Sequence, residues 1–148
     1  EQENAWINKA FALSQLKRYP ETISTYQRVI QLAPNDMHSL RNCGIAYYEN
    51  HQVDQAQKLL EEASKKLPHD ALTWCFLGLS HYQLGNTDFA ITSLEKSLKL
   101  DPQNLEVPQH LGRCLLQIGQ FKRGLEQISR STGSIVFNLN KHKAYIHE

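Results

Sequence analysis

At 148 residues with 41% hydrophobic side chains, the chain suits one compact domain or a short repeat array and is not disordered by composition. Sixteen basic against fifteen acidic side chains leave a net charge of +1, and the longest runs of like charge, such as Glu61–Glu62 and Lys65–Lys66, fall well short of about five or six residues, which argues against a dominant electrostatic grip on nucleic acid or an anionic membrane. No apolar run approaches the roughly 20 residues that cross a bilayer. The opening stretch EQENAWINKAF lacks a basic region followed by an apolar block, and with no initiator Met it reads as a fragment or processed chain.

In chain order the sequence divides into units. Pro34, Pro68 and Pro102 recur every 34 residues, inside "LAPND", "LPHDA" and "LDPQN". Gly44, Gly78 and Gly112 keep the same interval, as do Ala56, Ala90 and Gly124, and Leu60, Leu94 and Ile128. Each unit carries two amphipathic segments joined by a polar turn. The pattern predicts helices near Met37–Asn50 and Val53–Lys66 in the second unit and near Ala71–Leu84 and Thr87–Leu100 in the third. Proline ends the second helix of a unit, because it donates no N–H and pushes the preceding residue out of the α region. Asp36, Asp70 and Asn104, two residues further on, are read as N-caps of the next helix. A glycine inside a helix costs about 1 kcal/mol relative to alanine, so a repeated one implies close helix approach, with Ala56, Ala90 and Gly124 expected opposite. Trp6 and Trp74 are expected to plug the space between neighbouring helices.

These residues resemble the tetratricopeptide repeat (TPR), whose 34-residue unit carries a W-x₂-L-G-x₂-Y…A-x₃-F…P pattern. The third unit matches through Trp74, Leu77, Gly78, Ala90, Leu94 and Pro102, with His81 where the family usually has Tyr. The second matches through Leu40, Gly44, Tyr47, Ala56, Leu60, Ala63 and Pro68, and the first through Trp6, Ala10, Leu13, Tyr26 and Pro34. The fourth carries Leu111, Gly112, Leu115, Phe121, Gly124 and Ile128 and lacks the closing proline. The resemblance implies an all-α solenoid of helical hairpins wound as a right-handed superhelix. Its array is expected over 3–131, with units 3–36, 37–70, 71–104 and 105–131. Residues 132–148 (TGSIVFNLNKHKAYIHE) break the pattern and read as an extended or β-hairpin-like tail, a cap or the start of a further domain.

No catalytic, metal or cofactor motif emerges. The seven histidines form no H-E-x-x-H and no helical i, i+4 pair. Cys43, Cys75 and Cys114 are far apart without a C-x-x-C and read as buried reduced thiols, in keeping with a reducing, cytoplasmic setting. No catalytic residue, no cofactor and no metal are expected, and the segment reads as a non-enzyme.

The resemblance places the ligand surface on the concave side, lined by the first helix of each unit. Carried over by position, the candidate groove residues are Asn4, Ile7, Asn8 and Phe11 in the first unit and His38, Arg41, Asn42, Ile45 and Tyr48 in the second. Phe76, Leu79 and Tyr82 follow in the third, and His110 and Arg113 in the fourth. Asn8 and Asn42 share the column where sugar-transferase TPR arrays hold a peptide backbone with a ladder of asparagines, but Phe76 and His110 interrupt it. The Lys/Asn/Arg clamp of chaperone-binding TPRs is absent, with Ile7, Phe11, Leu72 and Phe76 at four of its positions. Arg41 and Arg113 are left as cations able to pair with an acidic ligand group. The groove is otherwise apolar and aromatic, fit for an extended peptide or an amphipathic helix. The expected partner is therefore a protein or peptide, not nucleic acid or membrane, with self-association through the solenoid ends left open. Two other readings are carried forward: the N-terminal TPR portion of a glycosyltransferase-, sulfotransferase- or oxygenase-type enzyme, and a small secretion chaperone.

Overall fold

The computed structural model describes residues 2–132; the first residue of the predicted tail, Thr132, is helical, and 133–148, with His142 and His147, lie outside the described residues. Eight α-helices follow one another: α1 (Gln2–Gln15), α2 (Tyr19–Leu32), α3 (Met37–Glu49), α4 (Val53–Lys66), α5 (Ala71–Gln83), α6 (Thr87–Leu100), α7 (Val107–Gln117) and α8 (Phe121–Thr132). Consecutive helices pair into hairpins, and each hairpin stacks on the next through its even-numbered helix and the following odd one. None of these helices is long and apolar enough to cross a membrane.

Helix ends follow the repeat. Ala33, Leu67 and Asp101 return their N–H groups to Val29, Ala63 and Ser97 just before or at the proline turns. Asp36 then caps α3 by accepting from the Ser39 N–H at 3.3 Å, and Asp70 caps α5 by accepting from the Thr73 N–H at 3.0 Å. Asn104 departs from the expectation. Its Oδ1 accepts from the N–H groups of Glu106 and Val107 at 2.8 and 2.9 Å, and α7 begins only at Val107. The delay suits Pro108, which falls in the first turn, where no N–H is needed.

The hairpin turns share a further column that composition hides. Lys17, His51, Gly85 and Gly119 all have φ between 57 and 83°. Around each, the following N–H reaches back five residues, as from Gln52 to the Tyr47 carbonyl at 2.9 Å, and the left-handed residue's own N–H reaches back three. This is the Schellman closure of a helix C-terminus.

The glycine column works by side-chain intrusion. A Cβ on Gly44 or Gly78 would stand 2.8 Å from Cγ of Leu60 or Leu94, and one on Gly112 would stand 2.6 Å from Ile128 Cγ1. The intruding residues are thus chiefly Leu60, Leu94 and Ile128, with the expected small residues contributing through the carbonyls of Ala90 and Gly124. Three successive cores run along the array. One joins Ala10, Ile23, Tyr26, Val29, Cys43 and Ala46, the next Ala56, Leu60 and Leu77, and the last Ala90, Ile91, Leu94, Leu98, Val107, Leu111, Cys114 and Leu115. Trp6 and Trp74 lean on the first and second, and the Trp74 indole N–H donates to the Pro68 carbonyl at 2.9 Å, tying α5 to the preceding turn.

Gly78→Ala is expected to lose about 1–2 kcal/mol in urea unfolding, because overpacking outweighs the helix-propensity gain of about 1 kcal/mol. In a Leu94→Ala background the loss shrinks, and equal losses in both backgrounds would rule out the intrusion. His51→Gly is expected to raise stability by about 0.5–1 kcal/mol and Gly85→Ala to lower it by a similar amount, read as opposite shifts of the melting midpoint. The space around Gly85 is open, so its substitution isolates backbone strain.

Candidate functional site

The array curves because its two helix layers pack differently. The odd helices meet one another directly, α3 with α5 and α5 with α7, whereas no pair of even helices makes a comparable contact. The odd helices therefore line the inner, concave side.

On that side a cleft of about 290 Å³ opens among α1, α2, α3 and α5, lined by Phe11, Tyr26, Asn42, Ile45, Glu49 and Leu72 among others. Phe11 is 59% exposed and Leu72 is 43% exposed. Further along, Phe76 meets Tyr48 edge-on at 5.5 Å between ring centres, and the Tyr48 hydroxyl accepts from Gln83 Nε2 at 3.2 Å. Burial raises the Tyr48 phenol, partly offset by that hydrogen bond, so it stays a neutral hydroxyl. Tyr82, 38% exposed, continues the apolar surface.

Several candidate residues take other roles. Leu79 is 9% exposed and belongs to the packed interior rather than to the groove surface. Arg41 is no free cation: its guanidinium meets the Asp70 carboxylate at 3.1 Å, both side chains being largely buried. Burial alone would raise Asp70, but hydrogen bonds from Thr73 and Arg41 and the Arg41 charge together hold it below its ordinary value. One carboxylate thereby caps α5 and anchors α3. Asn42 is committed as well, its Oδ1 accepting from Arg41 Nε at 3.1 Å and its Nδ2 donating to the Tyr26 hydroxyl at 3.4 Å. The ladder amide at Asn42 is thus partly engaged within the protein, with one Nδ2 hydrogen and one Oδ1 lone pair remaining. Asn4, Asn8, His38 and Arg113 are exposed, Ile7, Ile45 and His110 half-buried.

Tyr26 and Leu72 complete the cleft. Tyr26 comes from α2, in the column otherwise filled by Leu60, Leu94 and Ile128, and its hydroxyl is what distinguishes it in sequence. A larger cavity of about 680 Å³ opens on the other side, between α2 and α4 over Leu40 and Cys43. It is the gap left where even helices diverge, and its rim is polar: Gln27, Gln31, Gln55, Lys58 and Glu62.

Nothing in this geometry assembles reactive chemistry. Among the described residues no group of three or more His, Cys, Asp and Glu side chains could hold a metal ion. Burial pushes the Cys43 thiol up to about 12 and, with Glu106, the Cys75 thiol to about 11, so neither is a thiolate at neutral pH.

Stacked helical hairpins around a concave apolar cleft define a helical-repeat scaffold for protein interaction. The "Tetratricopeptide repeat" family model matches residues 1–67, and the model described as "Anaphase-promoting complex, cyclosome, subunit 3" matches residues 49–131. The chain belongs to the tetratricopeptide-repeat family. It is 28% identical over 137 residues to the BBSome complex member BBS4 of Bos taurus, covering 93% of this chain and 26% of that protein. It is 30% identical over 96 residues to human tetratricopeptide repeat protein 33, covering 65% of this chain and 37% of that one. In fold it is similar to MamA 41-end from Desulfovibrio magneticus RS-1, at TM-score 0.82 and 23% identity over 88% of this chain and 74% of that chain. The chain thus spans about a quarter of the length of the BBS4 relative.

Two imidazoles, buried His81 and half-buried His110, set the expected pH response. His81 is lowered by desolvation against a small opposing effect of Glu61, with its ring stacked on Phe89 at 5.3 Å. His110 is lowered by desolvation and by Arg113, against Glu106. Both bind protons more readily unfolded, so their stabilising contribution is present above the unfolded value of about 6.5 and is lost as pH falls through the lower folded values. The melting temperature is expected to fall between pH 7 and pH 5, and less so in His81→Gln/His110→Gln; the same slope in both proteins would exclude these residues as the cause.

Proposed function

We propose that the concave face binds an extended peptide or amphipathic helix of a protein partner, seated on Phe11, Leu72, Phe76 and Tyr82 over the cleft at Ile45. The observation that carries this reading is an apolar cleft whose cation is already paired. With Arg41 held by Asp70 and Asn42 by Tyr26 and Arg41, the cleft offers apolar area and aromatic rims rather than a free cation, with the exposed Glu49 carboxylate among its lining residues. Such a surface rewards an apolar side chain and carries no means of clamping a carboxylate. Exposed Asn4, Asn8, His38 and Arg113 supply polar flanks around it. Tyr48 and Phe76 support the floor, since their edge-on contact and the Gln83 bond fix both rings before a ligand arrives.

A photo-crosslinking residue at Phe11 or Tyr82 is expected to capture a partner segment that one at Lys58, on the opposite rim, does not. Phe11→Ala/Tyr82→Ala is expected to weaken that partner's binding at least tenfold, with its melting temperature nearly unchanged because both side chains are substantially exposed. Equal capture from Lys58, or undiminished affinity in the double variant, would move the site off the concave face.

A further inference from the structure

The cavity of about 680 Å³ over Leu40 and Cys43 has counterparts one and two repeat units further on, and the three joints differ in chemistry. At the later two, a side chain of the following hairpin reaches the carbonyl of the proline turn. In the third hairpin Trp74 stands in the column of Leu40, and its indole N–H donates to the Pro68 carbonyl at 2.9 Å. The Lys96 ammonium, in the column of Glu62, lies 4.3 Å from the centre of that ring. In the fourth hairpin Pro108 stands in the tryptophan column and Arg130 in that of Lys96, and the Arg130 guanidinium donates to the Pro102 carbonyl at 3.1 Å. In the second hairpin neither column holds a donor. Leu40 is apolar, Glu62 is an acceptor, and the Pro34 carbonyl, at the wall of the cavity, accepts no hydrogen bond among the described residues. The Glu62 carboxylate has no ion-pair partner among them either.

We infer that this cavity is a docking site for a tryptophan side chain of a partner protein, with a lysine or arginine beside it in the partner's sequence. The occupant takes the place that Trp74 and Lys96 fill in the next joint. Its ring rests on Leu40 and Cys43 between Ile30 and Leu59, and its indole N–H is the donor that the Pro34 carbonyl lacks. The rim carries one cation, Lys58, and one carboxylate, Glu62. Column identity puts the carboxylate where Lys96 covers the Trp74 ring, so the cation arrives with the ligand. An apolar floor edged by unpaired acceptors favours a flat ring bearing an N–H over an aliphatic side chain, which supplies no donor. The segment is separate from the one on the concave face: α3 divides the two sites, with Leu40, Cys43 and Tyr47 lining one and Asn42, Ile45 and Glu49 the other.

The probe is the acetylated and amidated peptide Gly-Trp-Lys-Gly with a fluorinated indole, mixed at millimolar concentration with the 148-residue chain and followed by broadening of its fluorine signal, to which Trp6 and Trp74 do not contribute. Binding is expected to be lost in Leu40→Trp, which builds the indole in, and in Glu62→Arg, which recreates the arrangement of Arg130. Leu40→Trp is also expected to raise the melting temperature by supplying the missing donor. Glu62 is exposed, so Glu62→Arg is expected to melt as the parent does and tests the site even where the larger substitution disturbs the core. Unlabelled peptides with leucine or arginine in place of tryptophan are expected to compete about tenfold less well, having lost the ring or its fit. Glutamate in place of the peptide's lysine is expected to weaken binding about two- to fivefold, the range of an exposed ion pair. Phe11→Ala/Tyr82→Ala is expected to leave binding unchanged, which separates this site from the concave one. Absence of binding, undiminished binding by Leu40→Trp or Glu62→Arg, or equal competition by the leucine, arginine or glutamate peptide overturns the proposal. So does loss of binding in Phe11→Ala/Tyr82→Ala, because the ring is then held on the concave face.

Discussion

The close approach of the two helices in each hairpin is the constraint on which the rest of the structure depends. In the second, third and fourth hairpins a leucine or isoleucine of the even helix reaches the backbone of the odd helix at a position where a methyl group would already collide, while the first hairpin has Ala10 and Tyr26 in those columns. That approach fixes the angle within a hairpin, and a fixed angle repeated every 34 residues fixes how hairpins stack. No hairpin buries its own apolar face completely, so each leaves a stripe on its even helix for the next odd helix to cover. The curvature follows: the odd helices draw together while the even ones diverge, opening the cavity over Leu40 and Cys43 on one side and concentrating exposed aromatics on the other.

Repetition also explains why the concave cleft is poor in free charge. Asp70 is called upon twice, as the cap of α5 and as the partner of Arg41 from the preceding hairpin. A surface cation that resembles a ligand anchor in sequence is thereby turned into a strut between hairpins. Asn42 is partly engaged in the same network. What remains accessible in the cleft is chiefly aromatic and aliphatic, with the Glu49 carboxylate beside it.

Most of the fold was legible because it is written in local signals at a fixed period. The prolines and the caps Asp36 and Asp70 set helix boundaries to within one residue in the second and third units, and the glycine column announced close packing. What escaped is of two kinds. The left-handed column at the hairpin turns is glycine in only two of its four places; Lys17 and His51 adopt the same geometry because the Schellman hydrogen bonds impose it, and neither residue type advertises that conformation. The candidate site suffered from pairings that sequence distance conceals. Arg41 and Asp70 are 29 residues apart, and Tyr26 reaches Asn42 from a different hairpin, so position in the family pattern placed these groups on the correct helix but could not tell whether their polar atoms were free. Leu79 shows the same limit in apolar form: it shares the column of Phe11 and Ile45, yet Phe11 is 59% exposed and Leu79 only 9%, a difference that position in the repeat does not carry.

The repeat is therefore most informative where it fails. Columns that change character along the array report how each hairpin meets its neighbour, as where Ile23 and Ile91 are buried and Gln57 between them is half-buried. Lys9 replaces a buried apolar side chain and lies over Trp6, so the α1 face holds its own charge and offers no apolar column there. Leu125 preserves the apolar character of Ile23 and Ile91 although no helix among the described residues covers it as they are covered. Packing among the described residues treats the outer faces of α1 and α8 alike. Chemistry does not: burying a lysine ammonium without a partner costs several kcal/mol, whereas burying a leucine side chain is favourable by about 1.5–3 kcal/mol. Among the described residues the outer faces of α1 and α8 therefore differ in chemistry, an exposed lysine standing on the one and an exposed leucine on the other.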